Sequence, residues 1–390
     1  MTTQASTREP GLPADYYAPE FRLTVGGYDL DPTTRGDVLE IKVVLDLENM
    51  SSADLTINNW DDTTFDFKYT ETTTFDLGRN LKIELGYADN LVPMLTGQVA
   101  TLSPRFPESG PPSLQISVVD GLLPLRDAKP PEGGEIRFEN VFDWEIAERI
   151  AQRHGIRCAV TKDGPHHDLV VQANQSDLAF LKERAKRIDF DVFMTTDQDS
   201  GVETLNFIRP RDGRDDQKIR VYTLNWGESL IEFSPVLTLS RQVSKVVVRG
   251  WDPRTKEPIV GEAAADDLPR GDGTSGPAAA AKLGASGRGK QEAVVDAPVF
   301  SKQEADRLAM SLLADRAYTF VTGTGRTIGL PHLRPGDNLE IGRLSERFCG
   351  TYYVTKVEHT LNNSGYITQF DVRRTHDRGP RRTEETRSVA

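Results

Sequence analysis

Residues 39–58 read LEIKVVLDLENMSSADLTIN, and their period decides the fold class. Leu39, Ile41, Val43, Leu45 and Leu47 stand at every second position, and Leu55 and Ile57 resume the beat after the polar turn ENMSSAD. Successive side chains on a strand point to opposite faces, so this spacing marks one face for burial and leaves the other to water. Leu81, Ile83, Leu85 and Tyr87 repeat the pattern, as do Leu114, Ile116 and Val118, with the turn-forming cluster SPRFPESGPPS between them. Half-buried strands separated by such clusters predict an antiparallel sheet of the sandwich or barrel type.

The period changes near Asn140. In VFDWEIAERIAQRHG, Val141, Trp144, Ala147, Ile150 and Ala151 recur at helical intervals, and Gly155 stands where a left-handed cap is wanted. SDLAFLKERAKRI predicts a second helix, with Ser176 as N-cap, Asp177 at the positive end of the dipole, and Leu178, Leu181, Ala185 and Ile188 on one stripe. Strands around 190–194 and 205–208 complete a small α+β module.

Alternation then returns. Ile231, Phe233, Leu237 and Leu239 read as strand, and KVVVRGWDPRTKEPIVGEA as a hairpin turning through Asp252, Pro253, Arg254 and Thr255. From 262 to 292 the composition falls to Ala, Gly, Asp and Ser, which predicts a mobile loop because little apolar surface offsets the entropy of ordering it. Ser301 and Glu304 form a capping box for a helix over 301–316 with Ala305, Leu308, Ala309, Leu312 and Leu313 on its stripe. Pro335 and Gly336 fit the centre of a type II turn, and the last strands fold back at 362–365. The first 18 residues and 376–390 read as polar, flexible tails.

The totals exclude several classes. The 390 residues carry 47 basic and 59 acidic side chains, a net charge of −12, which argues against general adhesion to nucleic acid or anionic lipid. No run of eighteen apolar residues predicts a membrane span, and no apolar leader opens the chain. Cys158 and Cys349 have neither metal-ligand nor CxxC spacing and read as two reduced, core-filling thiols.

No catalytic, cofactor or metal site emerges. GASGRGKQ at 284–291 approaches the phosphate-cradling loop but has Gln291 where a hydroxyl must hold magnesium, with no buried strand before it. Gly323, Gly325 and Gly329 miss the dinucleotide spacing. His166, His167 and Asp168 alternate faces on extended chain, so they do not close on one metal, and a solvated loop is expected there. His359 has no identifiable nucleophile and reads as a strand histidine with an ordinary hydrogen bond. Trp251, at a strand end beside Asp-Pro, suits plugging a sheet edge or barrel end.

Five motifs in order carry a resemblance: QANQSDLAFLKERA, KVVVRGWDPRTKEPIVGEA, FSKQEADRLAMSLLADRA, GLPHLRPGDNLEIG and FCGTYYVTKVEHTLNNSGYITQFDVRR. Together they resemble the phage late control protein D family, whose relatives include the valine-glycine repeat (VgrG) spike proteins and the baseplate hubs of contractile injection systems. The resemblance implies a mainly β fold with an α+β insertion: two tail-tube-like β-barrels plus a small α+β domain, assembled as a pseudo-sixfold homotrimer. It places the first barrel at 19–128, the insertion at 129–229 and the second barrel at 230–375. Gly250, Trp251, Asp252, Pro253, Pro335, Gly336, Tyr353 and His359 are its candidate assembly or fold-motif positions. Implied partners are the inner tube protein, a separate spike protein (VgrG C-terminal-like or PAAR-tipped), other baseplate components and a cargo effector. Assembly is expected in the bacterial cytoplasm, followed by residence in the baseplate of a phage tail-like particle. No cofactor is implied and no bond is made or broken. A β-rich cell-wall-active enzyme or carbohydrate-binding protein is the competing expectation, and a free-standing trimeric adhesin a third.

Overall fold

In the computed structural model the described residues are 18–379, apart from 89, 132, 198–200, 213–218, 253, 270 and 284–288. Pro253, most of the GASGRGKQ stretch and the two outermost tails therefore lie outside the described residues.

Thirteen strands form one sheet. Its path runs Leu230–Leu237, Val321–Ile328, Gly365–Arg374, Gly350–Asn362, Val38–Asp46, Ser52–Asn58, Ser113–Asp120, Asn90–Arg105, Asn80–Tyr87, Pro19–Val25 and Tyr28–Asp29. Neighbours on this path are antiparallel. Asn338–Gly342 joins the start of Gly350–Asn362, and Val221–Asn225 lies parallel to it. The mainly β architecture with a large antiparallel sheet is the expected one.

The opening stretch shows how the alternation works and where it slips. Ile41, Val43 and Leu45 are buried and pack with Leu55 and Ile57 from the next strand, while Leu47, also buried, lies just past the strand and packs with Phe193, Ile208 and Tyr353. Leu39 is exposed instead, because the register shifts between Val38 and Glu40 and the extra residue turns Val38 toward the core. A bulge reverses the facing of everything before it.

Four main clusters of buried side chains support this sheet and its attachments. One fills the half built from residues 19–120, and another fills the half built around residues 221–237 and 321–372. They are not separate bodies of sheet. The hairpin of Gly350–Asn362 and Gly365–Arg374 belongs to the second half, yet residues 356–362 pair with 40–46, and Leu361 and Tyr366 are buried in the first half's core. That hairpin turns tightly, with Asn362 opposite Gly365 and Gly365 at φ 121°, a region open to glycine.

The α+β module holds the third cluster. Asp143–Arg153 and Asp177–Arg187 are helices, capped as the sequence implies: Gly155 has φ 69°, and the Ser176 hydroxyl accepts from the Ala179 amide at 3.3 Å. The expected loop at His166–Asp168 is instead the start of the strand His166–Ala173, paired with Glu135–Phe142. Alternation then buries His167 while His166 and Asp168 stay exposed.

The fourth cluster lies where the helix Lys302–Tyr318 rests on the hairpin Lys245–Asp252 and Glu257–Ala264. The approach is close enough that a Cβ on Gly261 would stand 2.2 Å from the Ala305 carbonyl carbon, and one on Gly250 would stand 2.5 Å from Val299 Cγ2. The Ser301 hydroxyl caps this helix by accepting from the Glu304 amide at 3.1 Å. The Glu304 carboxylate reaches one residue further back than a capping box would, accepting from the Phe300 amide at 2.9 Å.

The loop expected over 262–292 is a correction. Its described residues complete the strand Glu257–Ala264, make a 3-10 turn at Ala265–Asp267, pair Thr274–Ser275 with His376–Asp377, form a helix over Gly276–Leu283 and end in the strand Gln291–Val294. Low hydrophobicity was a poor guide because alanine is the best helix former and neighbouring strand edges supply backbone partners. His376–Asp377 likewise stays on the fold, with Asp377 taking two hydrogen bonds from Arg347, so the polar tail begins later than composition implies.

Candidate functional site

The sequence candidates separate into two places. Gly250, Trp251 and Asp252 sit at the mouth of the hairpin. Gly250 faces Val299, and the Asp252 carboxylate accepts from the amides of Arg254 and Thr255 at 2.8 and 3.3 Å, holding the turn. Trp251 is 57% exposed, so its ring covers little in this chain. Pro335, Gly336, Tyr353 and His359 come together elsewhere, where the two halves of the sheet meet.

The turn at 334–337 is built as expected: the Asp337 amide donates to the Arg334 carbonyl at 3.2 Å, and Gly336 has φ 90°, the value a type II turn needs at its third residue. The Gly336 amide also donates to the Val354 carbonyl at 2.9 Å, which docks the turn on the strand Gly350–Asn362. Tyr353 is buried, and its hydroxyl donates to Asp191 of the α+β module at 2.9 Å. Burial raises its pKa well above the ordinary phenol value. Beside it the Arg373 guanidinium lies 3.7 Å from the ring centroid of Tyr318 and 5.0 Å from that of Tyr353, on the wall of a cavity of about 210 Å³.

His359 is fully buried. Its Nε2 lies 3.3 Å from the Leu333 carbonyl, which can only accept, so Nε2 carries the proton and Nδ1 accepts from the hydroxyls of Tyr366 and Thr368 at 2.9 and 3.1 Å. Burial, with the nearby Arg334 charge, lowers its pKa to about 3. A neutral ring closed to solvent has no part in proton transfer with a substrate, and its hydrogen bonds fix the strands Gly350–Asn362 and Gly365–Arg374 and the loop at Leu333 together.

Arg334 is one of the side chains that bridge the halves. Its Nη1 donates to the carbonyls of Pro331 and Leu333 at 2.6 and 2.9 Å, and its Nη2 to the Pro93 carbonyl of the first half at 2.8 Å. The Tyr87 hydroxyl donates to the Gly329 carbonyl at 2.9 Å, Lys42 pairs with Glu358 at 2.8 Å, and Asn362 donates to Glu40 at 3.1 Å. Seven register pairs, Lys356 with Asp46 through Asn362 with Glu40, complete the seam.

The structure brings together three polar sets that the sequence did not assemble. Asp143, His167 and Arg184 form one buried set, with Arg184 Nε 2.6 Å from Asp143 Oδ1 and His167 Nε2 3.1 Å from Asp143 Oδ2. Asp177 takes His154 at 2.7 Å, Arg153 at 2.8 Å and Gln172 at 2.8 Å. Asp120 and Glu203 meet where the first half touches the module: Asp120 accepts from the Ser51 and Leu122 amides, and Glu203 from the Gly121 amide at 3.1 Å. The sequence signals for the first set were an acid at a helix start, which reads equally as a dipole partner, and His167, which reads as solvated among polar neighbours.

Burial raises Asp120 to about 6, and burial with the nearby Asp120 charge raises Glu203 to about 7. Folded-state values above the unfolded ones mean that this contribution is intact below about pH 4 and is lost as pH rises through about 6 to 7. Glu203→Gln is therefore expected to stabilise the protein by on the order of 1 kcal/mol at pH 8, a figure reduced for partial solvent screening. The difference should vanish near pH 4, where urea unfolding of the two proteins should coincide. A gain of equal size at both pH values would show that the carboxylate charge is not the cause.

Among the described residues, no group of three or more His, Cys, Asp or Glu is placed to hold a metal ion, and no helix is long and apolar enough to cross a membrane.

Solved structures with this fold come from phage tails and a secretion system. The prophage MuSo2 43 kDa tail protein from Shewanella oneidensis is 15% identical, with a TM-score of 0.65 over 91% of this chain and 98% of that one. The tail protein from Neisseria meningitidis MC58 is 12% identical, with a TM-score of 0.63 over 92% and 97%. The E. coli c3393 protein, a type VI secretion component with structural similarity to the T4 bacteriophage tail proteins gp27 and gp5, is 13% identical, with a TM-score of 0.56 over 89% and 76%. No curated protein matches. At these identities the likeness establishes the tail-protein fold, the same fold that the motif order implied under the heading of late control protein D. The family whose model matches is the Alg8 N-terminal domain, over residues 18–363, which takes in the first half of the sheet, the module and the second half up to the turn before Gly365–Arg374. By that match the chain belongs to the Alg8 N-terminal domain family.

Proposed function

We propose that this chain is the structural baseplate hub of a contractile, phage tail-like injection system. In this reading three copies close into a pseudo-sixfold ring, each giving two barrels, at 19–128 and 230–375, with 129–229 as the inserted domain. The ring joins a hexameric inner tube to a separate trimeric spike, VgrG C-terminal-like or PAAR-tipped, and transmits the thrust of contraction. It assembles in the bacterial cytoplasm with other baseplate components and leaves as part of the particle, with a cargo effector as a further partner. Late control protein D and the VgrG spikes are its wider kin, and it catalyses nothing.

The observation that carries this reading is fold likeness over nearly the whole of two tail proteins, with no large part of either chain left over. The stiff seam between the halves supports a load-bearing role. The open strand at each end of the sheet path, Leu230–Leu237 and Tyr28–Asp29, supports closure into a ring, because an unpaired edge is best covered by neighbouring copies.

The test is native mass at micromolar concentration, alone and with a candidate spike protein added. A species of three times 43.3 kDa in either condition is the expected result. A monomer in both would overturn the hub reading and direct attention to turnover and glycan-binding assays.

A further inference from the structure

One end of the first half carries aromatic rings that the core does not use. A short hairpin pairs Trp60 with Phe67 and Asp61 with Asp66, and the ribbon of Asn90–Arg105 and Ser113–Asp120 brings Phe106 alongside. The rings form an edge-to-face chain: Trp60 with Phe65 at 6.3 Å, Trp60 with Phe67 at 5.5 Å, and Phe67 with Phe106 at 5.4 Å between centroids. Phe65 is 78% exposed and Phe106 62% exposed. Clustered exposed rings of this kind mark interaction surfaces, and aromatic residues are enriched where binding energy concentrates.

Phe65 is also held in an unfavourable backbone. Its φ is 55°, a left-handed conformation that a bulky side chain rarely adopts and that glycine or asparagine would take at less cost. The turn is over-determined around it: the Asp61 carboxylate accepts from the Thr63 and Thr64 amides, and the Phe65 amide donates to the Asp61 carbonyl at 2.9 Å. Strain kept at an exposed ring points to a use for that ring outside the fold.

The rim is acidic. Asp61, Asp62 and Asp66 lie in the hairpin and Glu108 follows Phe106. Backbone hydrogen bonds from Thr63 and Thr64 keep the Asp61 carboxyl below its ordinary range. The nearby Lys68 is committed to Asp37, at 2.9 Å, which leaves Arg105 as the neighbouring cation among these segments.

We propose that the Trp60, Phe65, Phe67 and Phe106 cluster docks a partner protein whose contact face is apolar and rimmed by lysine or arginine. A second copy docking through this same face would bring the same acidic rim against it, and like charges brought together oppose association. The partner is therefore a different, basic-rimmed chain. This inference stands without the hub reading, because it needs only the patch.

A labelled amphipathic leucine-lysine helical peptide and its leucine-glutamate analogue serve as probes, with binding read by fluorescence anisotropy at low and physiological salt. The leucine-lysine peptide should bind the full chain and lose about tenfold or more in affinity on Phe65→Ser/Phe106→Ser, which leaves every charge in place. Asp62→Asn/Asp66→Asn, which leaves every ring in place, should weaken the same peptide and remove most of its salt dependence. The leucine-glutamate peptide should not bind. Melting followed by circular dichroism checks that the variants remain folded, as exposed positions allow. Equal binding of the leucine-lysine peptide to wild type and the Phe variant, or binding of the leucine-glutamate peptide as well as its analogue, would overturn the proposal. So would a wild-type dimer that Phe65→Ser/Phe106→Ser dissolves, since the occupant would then be a second copy.

Discussion

Asp143→Ala is expected to lower stability by about 3–5 kcal/mol, the range for breaking a buried ion pair from one side. Asp143 is fully buried at the start of the helix Asp143–Arg153. Burial works against its charge, but His167 and Arg184 outweigh that and hold its carboxyl below the ordinary range. Removing the carboxylate leaves the Arg184 guanidinium in the interior, where Arg184 Nη2 keeps only the His167 ring at 2.8 Å as a remaining member of the set. Because the folded-state pKa is depressed, the contribution is present above about pH 4 and is lost as pH falls through the folded value. Chemical unfolding at neutral pH measures it, and Asp143→Asn, which keeps the shape and one acceptor, should lose less. A loss under 1 kcal/mol for the alanine variant would mean that water reaches Arg184 in the folded chain.

The effect should spread beyond the module. His167 Nδ1 lies 4.0 Å from Glu304 Oε1, and Arg187 donates to the same oxygen at 2.9 Å. Glu304 stands in the first turn of the long helix Lys302–Tyr318, so the buried set touches the element that rests on the Trp251 hairpin. The Ser311 hydroxyl donates to the Lys186 carbonyl at 2.6 Å, and the Tyr318 hydroxyl donates to Asp189 at 2.9 Å, along the same helix. One face of this helix thus fastens the module to the second half, alongside the bond from Tyr353 to Asp191.

What the sequence made legible was local. Ile41, Val43, Leu55, Ile57, Leu81 and Ile83 are buried because period two leaves no other arrangement, and Ser176, Ser301, Gly155 and Gly336 do the capping and turning that their chemistry suits. Pairing across hundreds of residues has no such signature. Nothing in Val38–Asp46 names Gly350–Asn362 as its neighbour, since alternation sets which face is buried and says nothing of which strand lies alongside. His167 was misread for a related reason: a polar residue flanked by polar residues looks solvated until a carboxylate and a guanidinium arrive from other elements. The ordered part of 262–292 was lost to a composition argument that counts side-chain burial and ignores close backbone approach. There Gly273, at φ 103°, has room only for a hydrogen, since a Cβ would stand 2.0 Å from the Asp377 carbonyl oxygen. The sites the sequence singled out by motif divide accordingly, with Pro335, Gly336, Tyr353 and His359 meeting at the seam and Trp251 standing apart on the surface.

At that seam Arg334→Ala is expected to lower stability by about 3 kcal/mol. Three carbonyls, those of Pro331, Leu333 and Pro93, lose a charged donor at once. A buried acceptor left without a partner costs about 1–3 kcal/mol, and relief of a desolvated cation offsets part of the sum. Burial lowers the Arg334 pKa, which is the sign that the site holds the charge against a desolvation penalty. His359 is close enough for that charge to lower its own pKa, so removing Arg334 should raise the imidazole value from about 3 toward its ordinary range while leaving it low from burial. NMR titration of His359 reads this directly, and unfolding reads the stability. The informative comparison is with Lys42→Ala, which removes the exposed-side pair with Glu358 on the same seam and should cost at most about 1 kcal/mol, as half-exposed pairs do. If the halves are joined mainly by the seven-pair ladder, the two variants will behave alike. If the Arg334 bridge to Pro93 carries the joint, only Arg334→Ala will let the halves unfold in separate steps, visible as unequal transitions by fluorescence and circular dichroism. For a chain proposed to pass thrust from one half to the other, separate transitions would identify the residue through which the load runs.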